Sequence, residues 1–211
     1  MRGLPKFLLP AGPNYLTLLE SHVTSLLEYC ETVWIPTRPE QVLLLDTLGI
    51  ASDRVVIVPM TTQTMTETIL RVAQISRSNR FLMSMPDTYF SGQKPYEFLS
   101  GSDSEMALAC WNIREDQMGK LGQVLIEQTP NGRVLDAQDK SPHCLYSHSW
   151  GAMAFDRSVL ELANPEMPHI GYVLPKMIEL KKYIIAHVMD GEYYDCGTPE
   201  EYLRMLTRSV E

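Results

Sequence analysis

The chain has no run of 18 apolar residues and no signal-peptide-like apolar stretch near its start, so neither a membrane-spanning helix nor a secretory leader is expected. It has no Cys-x-x-Cys spacing. Its four cysteines, Cys30, Cys110, Cys144 and Cys196, are scattered, as expected for free thiols in a reducing cytoplasm. Positive charge is in deficit: Lys and Arg number 18 against 26 Asp and Glu, a net charge of -8. That balance argues against a nucleic-acid or anionic-membrane partner. It leaves room for a nucleotide substrate, which needs only local cations. There are no repeats, low-complexity tracts or linkers. With 211 residues, 45% of them hydrophobic and 21% charged, the sequence reads as one globular domain spanning 1–211 with a sizeable core.

What is present alternates. Leu16, Leu19, Val23, Leu26 and Leu27 fall on one helical face, predicting a helix from Tyr15 to Tyr29. Thr32 to Pro36 reads as a strand, Pro39 to Leu48 as a helix, Val55 to Val58 as a buried strand and Met65 to Ser76 as a helix. Phe81 to Met85 is a nearly continuous apolar run, the pattern of a buried strand, and Pro86 stops it. Strand and helix alternating three times predict a parallel sheet with helices on both faces. The second half differs. Ser91 to Glu105 reads as a polar loop. Met106–Ile113, Gly122–Glu127, Arg133–Ala137 and Trp150–Phe155 read as strands, with a hairpin at Pro130-Asn131-Gly132. Ile170 to Lys182 reads as a helix, and Tyr183–Val188 and Tyr193–Cys196 as strands. A last helix starts at Pro199, capped by Thr198 with Glu201 completing a capping box.

Asp87 follows the Phe81–Met85 strand directly. Open α/β sheets bind ligands beyond the carboxyl ends of their strands, and a carboxylate there can hold Mg²⁺ against a phosphate. The alternative is an ordinary turn aspartate. His143, Cys144 and His148 form a second polar cluster, but it lacks metal-site spacing and a fourth ligand, so a structural zinc is not expected.

Four marks occur in order: Pro5-Lys6 with Leu8-Leu9-Pro10; Asp87 after its strand; Asp139-Lys140-Ser141-Pro142; and Asp195-Cys196-Gly197-Thr198-Pro199-Glu200-Glu201. Together they resemble the sugar-phosphate nucleotidylyltransferases, whose motifs are Pro-Lys-x-Leu-Leu-Pro, Gly-Asp, Glu-Lys-Pro and Asp-x-Gly-Thr-Pro-Glu. Each mark is weak alone, but the ordered set spans nearly the whole chain. The resemblance implies the nucleotide-diphospho-sugar transferase fold: an α/β, Rossmann-like, mostly parallel sheet with helices on both faces and a small antiparallel sugar-binding part in the second half. It implies Mg²⁺-dependent coupling of a nucleoside triphosphate to a sugar phosphate, with release of pyrophosphate. Asp87 and Asp195 would hold the Mg²⁺. Lys6 would neutralise the triphosphate, and Gln63, Thr64, Thr66 and Pro86 would lie against the nucleotide. Lys140 would meet the acceptor phosphate, Asp139 a sugar hydroxyl, and Gly122, Trp150 and Gly151 would line the sugar.

The sequence departs from that pattern in places. Asp139 is one methylene shorter than the family's glutamate. The family's Gly-x-Gly-x-Arg phosphate loop, and the strand before it, have no counterpart from Met1 onward, and Arg2 stands too close to Lys6 to be its arginine. The expectation is an apolar strand and Gly-rich segment encoded ahead of Met1, and poor activity for the chain as given. No appended β-helix acyltransferase domain is expected. Two other readings share this architecture: an inactive nucleotide-sugar sensor, and a nucleotide-sugar-dependent glycosyltransferase. The latter usually carries Asp-x-Asp, where this chain has Asp87-Thr88-Tyr89.

Overall fold

The computed structural model describes residues 5–11 and 16–208. Met1, Arg2 and Tyr15, named above, lie outside the described residues. In chain order the first half contains β1 (Pro10–Ala11), β2 (Leu16–Thr17), α1 (Leu18–Leu26), β3 (Val33–Thr37), α2 (Val42–Thr47), β4 (Val55–Pro59), α3 (Met65–Ser76), β5 (Arg80–Ser84), β6 (Thr88–Phe90) and α4 (Pro95–Gly101). The second half adds β7 (Met106–Asn112), β8 (Gly122–Ile126), β9 (Asn131–Asp139), β10 (His148–Asp156), α5 (Leu174–Glu179), β11 (Ile184–Val188), β12 (Tyr193–Asp195) and α6 (Pro199–Arg208).

The sheet is mixed, and the mostly parallel expectation is corrected accordingly. Six strands follow the order β5-β10-β7-β11-β9-β8, and the start of β10 also pairs with β8. Only β7 and β11 run parallel there; β10 inserts antiparallel between β5 and β7. Helices cover both faces of this sheet, so β7 is buried at six of its seven positions. A strand buried on both faces reads as apolar whichever way its neighbours run, which is why composition does not reveal direction. The parallel pair β3–β4 forms a sheet of its own among the described residues, with Val33 opposite Val55 through Thr37 opposite Pro59.

Local chemistry explains the element ends. Thr17 caps α1: it accepts from the Glu20 N–H at 3.1 Å, while the Glu20 carboxylate accepts from the Thr17 N–H at 2.7 Å. Two predicted features shift. The stretch read as a loop holds α4, whose Tyr96 and Leu99 are buried against β7 and β10. The turn between β8 and β9 ends at Pro130, and Asn131-Gly132 already belong to β9.

His22 ties α1 to the strand layer. It is buried, with Nε2 2.8 Å from the Thr88 carbonyl oxygen and Nδ1 2.7 Å from the Tyr96 hydroxyl. A carbonyl only accepts, so Nε2 carries the proton and Nδ1 accepts from the phenol. Burial pushes the His22 pKa down to about 4, against the smaller opposing effect of the Thr88 bond. The unfolded imidazole, near 6.5, therefore binds a proton that the folded one refuses. Stability should fall as pH drops from about 6.5 toward 4, by about 3 kcal/mol from this one group. Denaturant melts of wild type and His22→Asn across that range should show a shallower acid loss in the variant.

Candidate active site

Asp87 owes its position to a turn. Pro86 and Asp87 are the two central residues of a β-turn in which the Thr88 N–H reaches the Met85 carbonyl at 3.4 Å and the Thr88 hydroxyl donates to the same oxygen at 2.8 Å. Proline favours the first central position of such turns. The chain then enters β6, which pairs antiparallel with β12 so that Thr88 stands opposite Asp195. The Cys196 N–H donates to the Asp87 carbonyl at 2.9 Å. Two carboxylates more than a hundred residues apart in sequence are thus brought close, just past the carboxyl end of β5.

Lys6 joins them from the short 3₁₀ turn Lys6–Leu8. A Cβ placed on Gly197 would stand 2.8 Å from Asp195 Oδ1 and 3.5 Å from Lys6 Nζ, so the ammonium lies over this glycine beside Asp195. Asp195 Oδ1 also accepts from the Gly197 N–H at 3.0 Å. Burial, and next the Asp195 charge, push the Asp87 pKa up, with Lys6 pulling the other way. The pair gains by taking a cation between its oxygens. Two neighbouring hard oxygen donors suit Mg²⁺, which is commonly held by one or two carboxylates together with substrate phosphates. Among the described residues no group of three or more metal-ligating side chains assembles, so two protein donors are what this site offers.

Beside the turn lies a cleft of about 440 Å³ at the carboxyl ends of β3, β4 and β5, whose wall includes Pro36, Arg38, Met60, Gln63 and Pro86. Gln63 is exposed there, its N–H bonded to Glu67 at 2.7 Å. Thr64 caps α3 through the Glu67 N–H at 3.0 Å and donates to the Pro165 carbonyl at 2.6 Å. Thr66 is fully buried, with no surface to offer a ligand. Its expected place against the nucleotide is therefore corrected: on the first turn of α3 its side chain packs inward. Arg38, a cation at the cleft wall, was not singled out in the sequence because no motif marks it.

A second cluster forms around Asp139, which stands opposite Gly122 on the β8–β9 ladder. Its Oδ1 is 3.2 Å from His169 Nε2, and the hydrogen bond it takes from the Tyr172 hydroxyl, and next its charge, push that phenol up. The His169 and Tyr172 rings meet edge to face at 4.8 Å, and the Trp150 ring lies 6.4 Å from His169. The space over Gly122 belongs to Trp150: a Cβ there would stand 2.2 Å from the indole. This corrects the expectation that Gly122 lets a sugar approach, since the glycine instead makes room for the ring. Gly151 likewise makes room for Tyr193 and Trp111. Lys140 follows on β9 with φ +48 and an exposed side chain. Sequence reasoning missed His169, which lies between the Asp139–Pro142 and Asp195 motifs and in neither.

Thr198 caps α6 as expected, accepting from the Glu201 N–H at 3.3 Å. The Glu201 carboxylate instead takes both bonds from Arg114, at 2.7 and 2.6 Å, which ties α6 to the loop after β7. Arg114 also donates to the Tyr193 carbonyl at 3.3 Å, bracing β12.

No family model and no curated protein sequence matches this chain. Solved structures match it in fold. A UDP-glucose pyrophosphorylase complexed with UDP-glucose aligns with TM-score 0.75 and 16% identity over 98% of this chain and 90% of that one. A putative glucose-1-phosphate thymidylyltransferase from Bacillus anthracis aligns with TM-score 0.78 and 16% identity over 98% and 87%. The inositol-1-phosphate CTP transferase from T. maritima aligns with TM-score 0.71 and 13% identity over 100% and 89%. The chain therefore has the fold shared by these sugar-phosphate nucleotidyltransferases and their relatives.

The raised pKa of Asp87 has a testable consequence. Its ionised form is disfavoured in the fold, so the penalty sets in as pH rises above the unfolded value near 4. Asp87→Asn should melt above wild type at pH 7 without divalent cation. The gap should close toward pH 4, and on adding Mg²⁺. Calorimetric melts at both pH values and with Mg²⁺ check this.

Proposed function

We propose that the protein is a Mg²⁺-dependent nucleotidyltransferase that joins a nucleoside triphosphate to a sugar phosphate and releases pyrophosphate. The observation that carries this reading is the approach of Asp87 and Asp195 where β6 pairs with β12, with Lys6 over Gly197, at the carboxyl end of β5.

In this reading an acceptor phosphate oxygen attacks the α-phosphorus, a new P–O bond forms, and the bond to the β-phosphate breaks to expel pyrophosphate. Two polyanions must meet, so catalysis is chiefly positioning and charge neutralisation. Asp87 and Asp195 would hold the cation, which when bound offsets the negative charge of both substrates. Lys6 faces the triphosphate. The cleft wall at Gln63 and Pro86, with Thr64 next in the chain, receives the nucleoside, and Arg38 supplies a further cation there. Lys140 draws in the acceptor phosphate. Asp139, steadied by His169, accepts from an acceptor hydroxyl beside the Trp150 ring.

Calorimetry on the full chain should detect nucleoside triphosphate binding that needs Mg²⁺ and is lost in Asp195→Asn. With a sugar 1-phosphate added, pyrophosphate should appear. Triphosphate binding indifferent to Mg²⁺ and to Asp195 would sink the reading. Pyrophosphate release also separates this activity from a sensor and from a glycosyltransferase, neither of which makes it.

Lys140→Ala provides an independent check. The side chain is exposed, so the melting temperature should stay within a degree or two of wild type while pyrophosphate release drops about 10²-fold. Unchanged release would remove Lys140 from the mechanism.

A further inference from the structure

β12 carries Asp195 on a strand that is bonded along one edge. The Ser91 N–H donates to the Glu192 carbonyl at 3.0 Å and the Cys196 N–H to the Asp87 carbonyl at 2.9 Å, so Glu192, Tyr194 and Cys196 bond toward β6. Alternation turns the backbone groups of Tyr193 and Asp195 the other way. Among the described residues β12 pairs with β6 alone, so no strand meets that outer edge. A side chain meets it instead. Arg114, in the loop after β7, donates from Nη1 to the Tyr193 carbonyl at 3.3 Å.

The same guanidinium reaches α6. Its Nη2 donates to both Glu201 carboxylate oxygens, at 2.7 and 2.6 Å, and its Nε to Asp116 at 3.3 Å. Thr198 caps α6 by itself, which leaves the Glu201 carboxylate available for this bond. The Arg114 main chain is held in turn: its N–H donates to Gln117 Oε1 at 3.1 Å, and its carbonyl accepts from the Gln117 N–H at 2.9 Å. One planar fork therefore joins Tyr193, two residues before Asp195, to Glu201, six residues after it. The span between holds Asp195 itself and Gly197, over which Lys6 lies. The Arg114 and Glu201 side chains are 23% and 17% exposed, so solvent screens their pairing only in part. Arg204 adds rim contacts, to Asp116 at 2.6 Å and to Glu201 at 3.1 Å, from a side chain that is 41% exposed.

We propose that Arg114 is a positioning residue for the Asp87–Asp195 pair: it staples the segment from Tyr193 to Glu201 and so fixes where the Asp195 carboxylate stands relative to Asp87. The inference rests on the reading of that pair as a cation site. All three guanidinium nitrogens are bonded within the fold, so Arg114 acts through β12 and α6 and not on a ligand. Positioning and through-space charge make opposite predictions here. Arg114 is a cation bonded two residues from Asp195, so by charge alone its removal would strengthen cation binding at the pair. As a staple, its removal lets Asp195 drift and weakens that binding. Groups that orient metal-binding side chains are typically worth about 10–100-fold in metal affinity.

The test uses the full chain and Mn²⁺ alone, a divalent ion that takes oxygen ligands and whose free form is counted by electron paramagnetic resonance. Binding at the pair is the part lost in Asp195→Asn. Arg114→Met by itself leaves Glu201 unpaired, so the decisive variant combines Arg114→Met with Glu201→Gln, which removes one charge of each sign and strands neither. Measured well below its melting midpoint, this double variant should bind Mn²⁺ about tenfold or more weakly than wild type. Arg114→Met alone should also bind more weakly, against the prediction from charge. Arg114→Lys keeps the charge but not the fork and should fall between. Arg204→Met removes a cation that bonds Asp116 and Glu201 but not β12, and should stay within about twofold of wild type. Equal binding by wild type and the double variant overturns this inference alone, as does tighter binding by Arg114→Met or an equal loss in Arg204→Met. A wild type that binds no Mn²⁺ at Asp195 overturns the cation reading of the pair, and this inference with it.

Discussion

Two negative charges held together against their repulsion are the constraint on which the rest of this structure turns. Asp87 and Asp195 lie more than a hundred residues apart, and nothing about two carboxylates draws them together. The two-stranded β6–β12 ladder does it by main-chain bonding, which is indifferent to side-chain charge. The cost is visible in the upward push on Asp87, set first by burial and next by the Asp195 charge. The supports are correspondingly heavy. His22 grips the Thr88 carbonyl from beneath, Arg114 holds the Tyr193 carbonyl and the Glu201 carboxylate, and Phe90 stacks on Trp111 at 4.7 Å. Two carboxylates brought together are unfavourable on their own, and this neighbouring packing keeps them in place.

The sequence was legible where chemistry is local. The helix Met65–Ser76 was read to its end residues because its apolar spacing and its Thr64 cap are properties of one short segment. Asp87, Asp195 and Lys6 were legible as candidates because each stands in a short motif, and the fold brings those motifs together. Features that depend on partners distant in sequence were not legible. Strand direction in the sheet, the inward turn of Thr66 and the indole over Gly122 all arise from what packs opposite, and no local pattern encodes that. His22 shows the same limit: a histidine on an apolar helix face became informative only once Tyr96 and Thr88 were seen on either side of its ring.

The acceptor region carries its own internal logic. Trp150 sits at the bulge of β10, where pairing shifts between Trp150 and Ala152, and it needs glycine at both 122 and 171 to seat its ring. Three sites in three elements are thus specialised around one indole, with Asp139, His169 and Tyr172 nearby. In the proposed reaction, such an aromatic-walled, single-carboxylate cluster would favour a neutral polyhydroxyl group over a second anion, and the exposed Lys140, adjacent in sequence, would meet a phosphate on the same ligand.

β5 leads directly into the charged turn. It bonds to β10 along one edge, and two residues past Ser84 begins the Pro86-Asp87 turn. The Ser84 hydroxyl also lies 3.3 Å from His22 Nδ1, the imidazole that fixes Thr88 on the far side of that turn. β10 thus restrains the turn from its incoming side, as β12 and His22 hold it from its outgoing side. In the proposed reaction, restraining a like-charged pair beforehand would lower the ordering cost of binding a cation between its members.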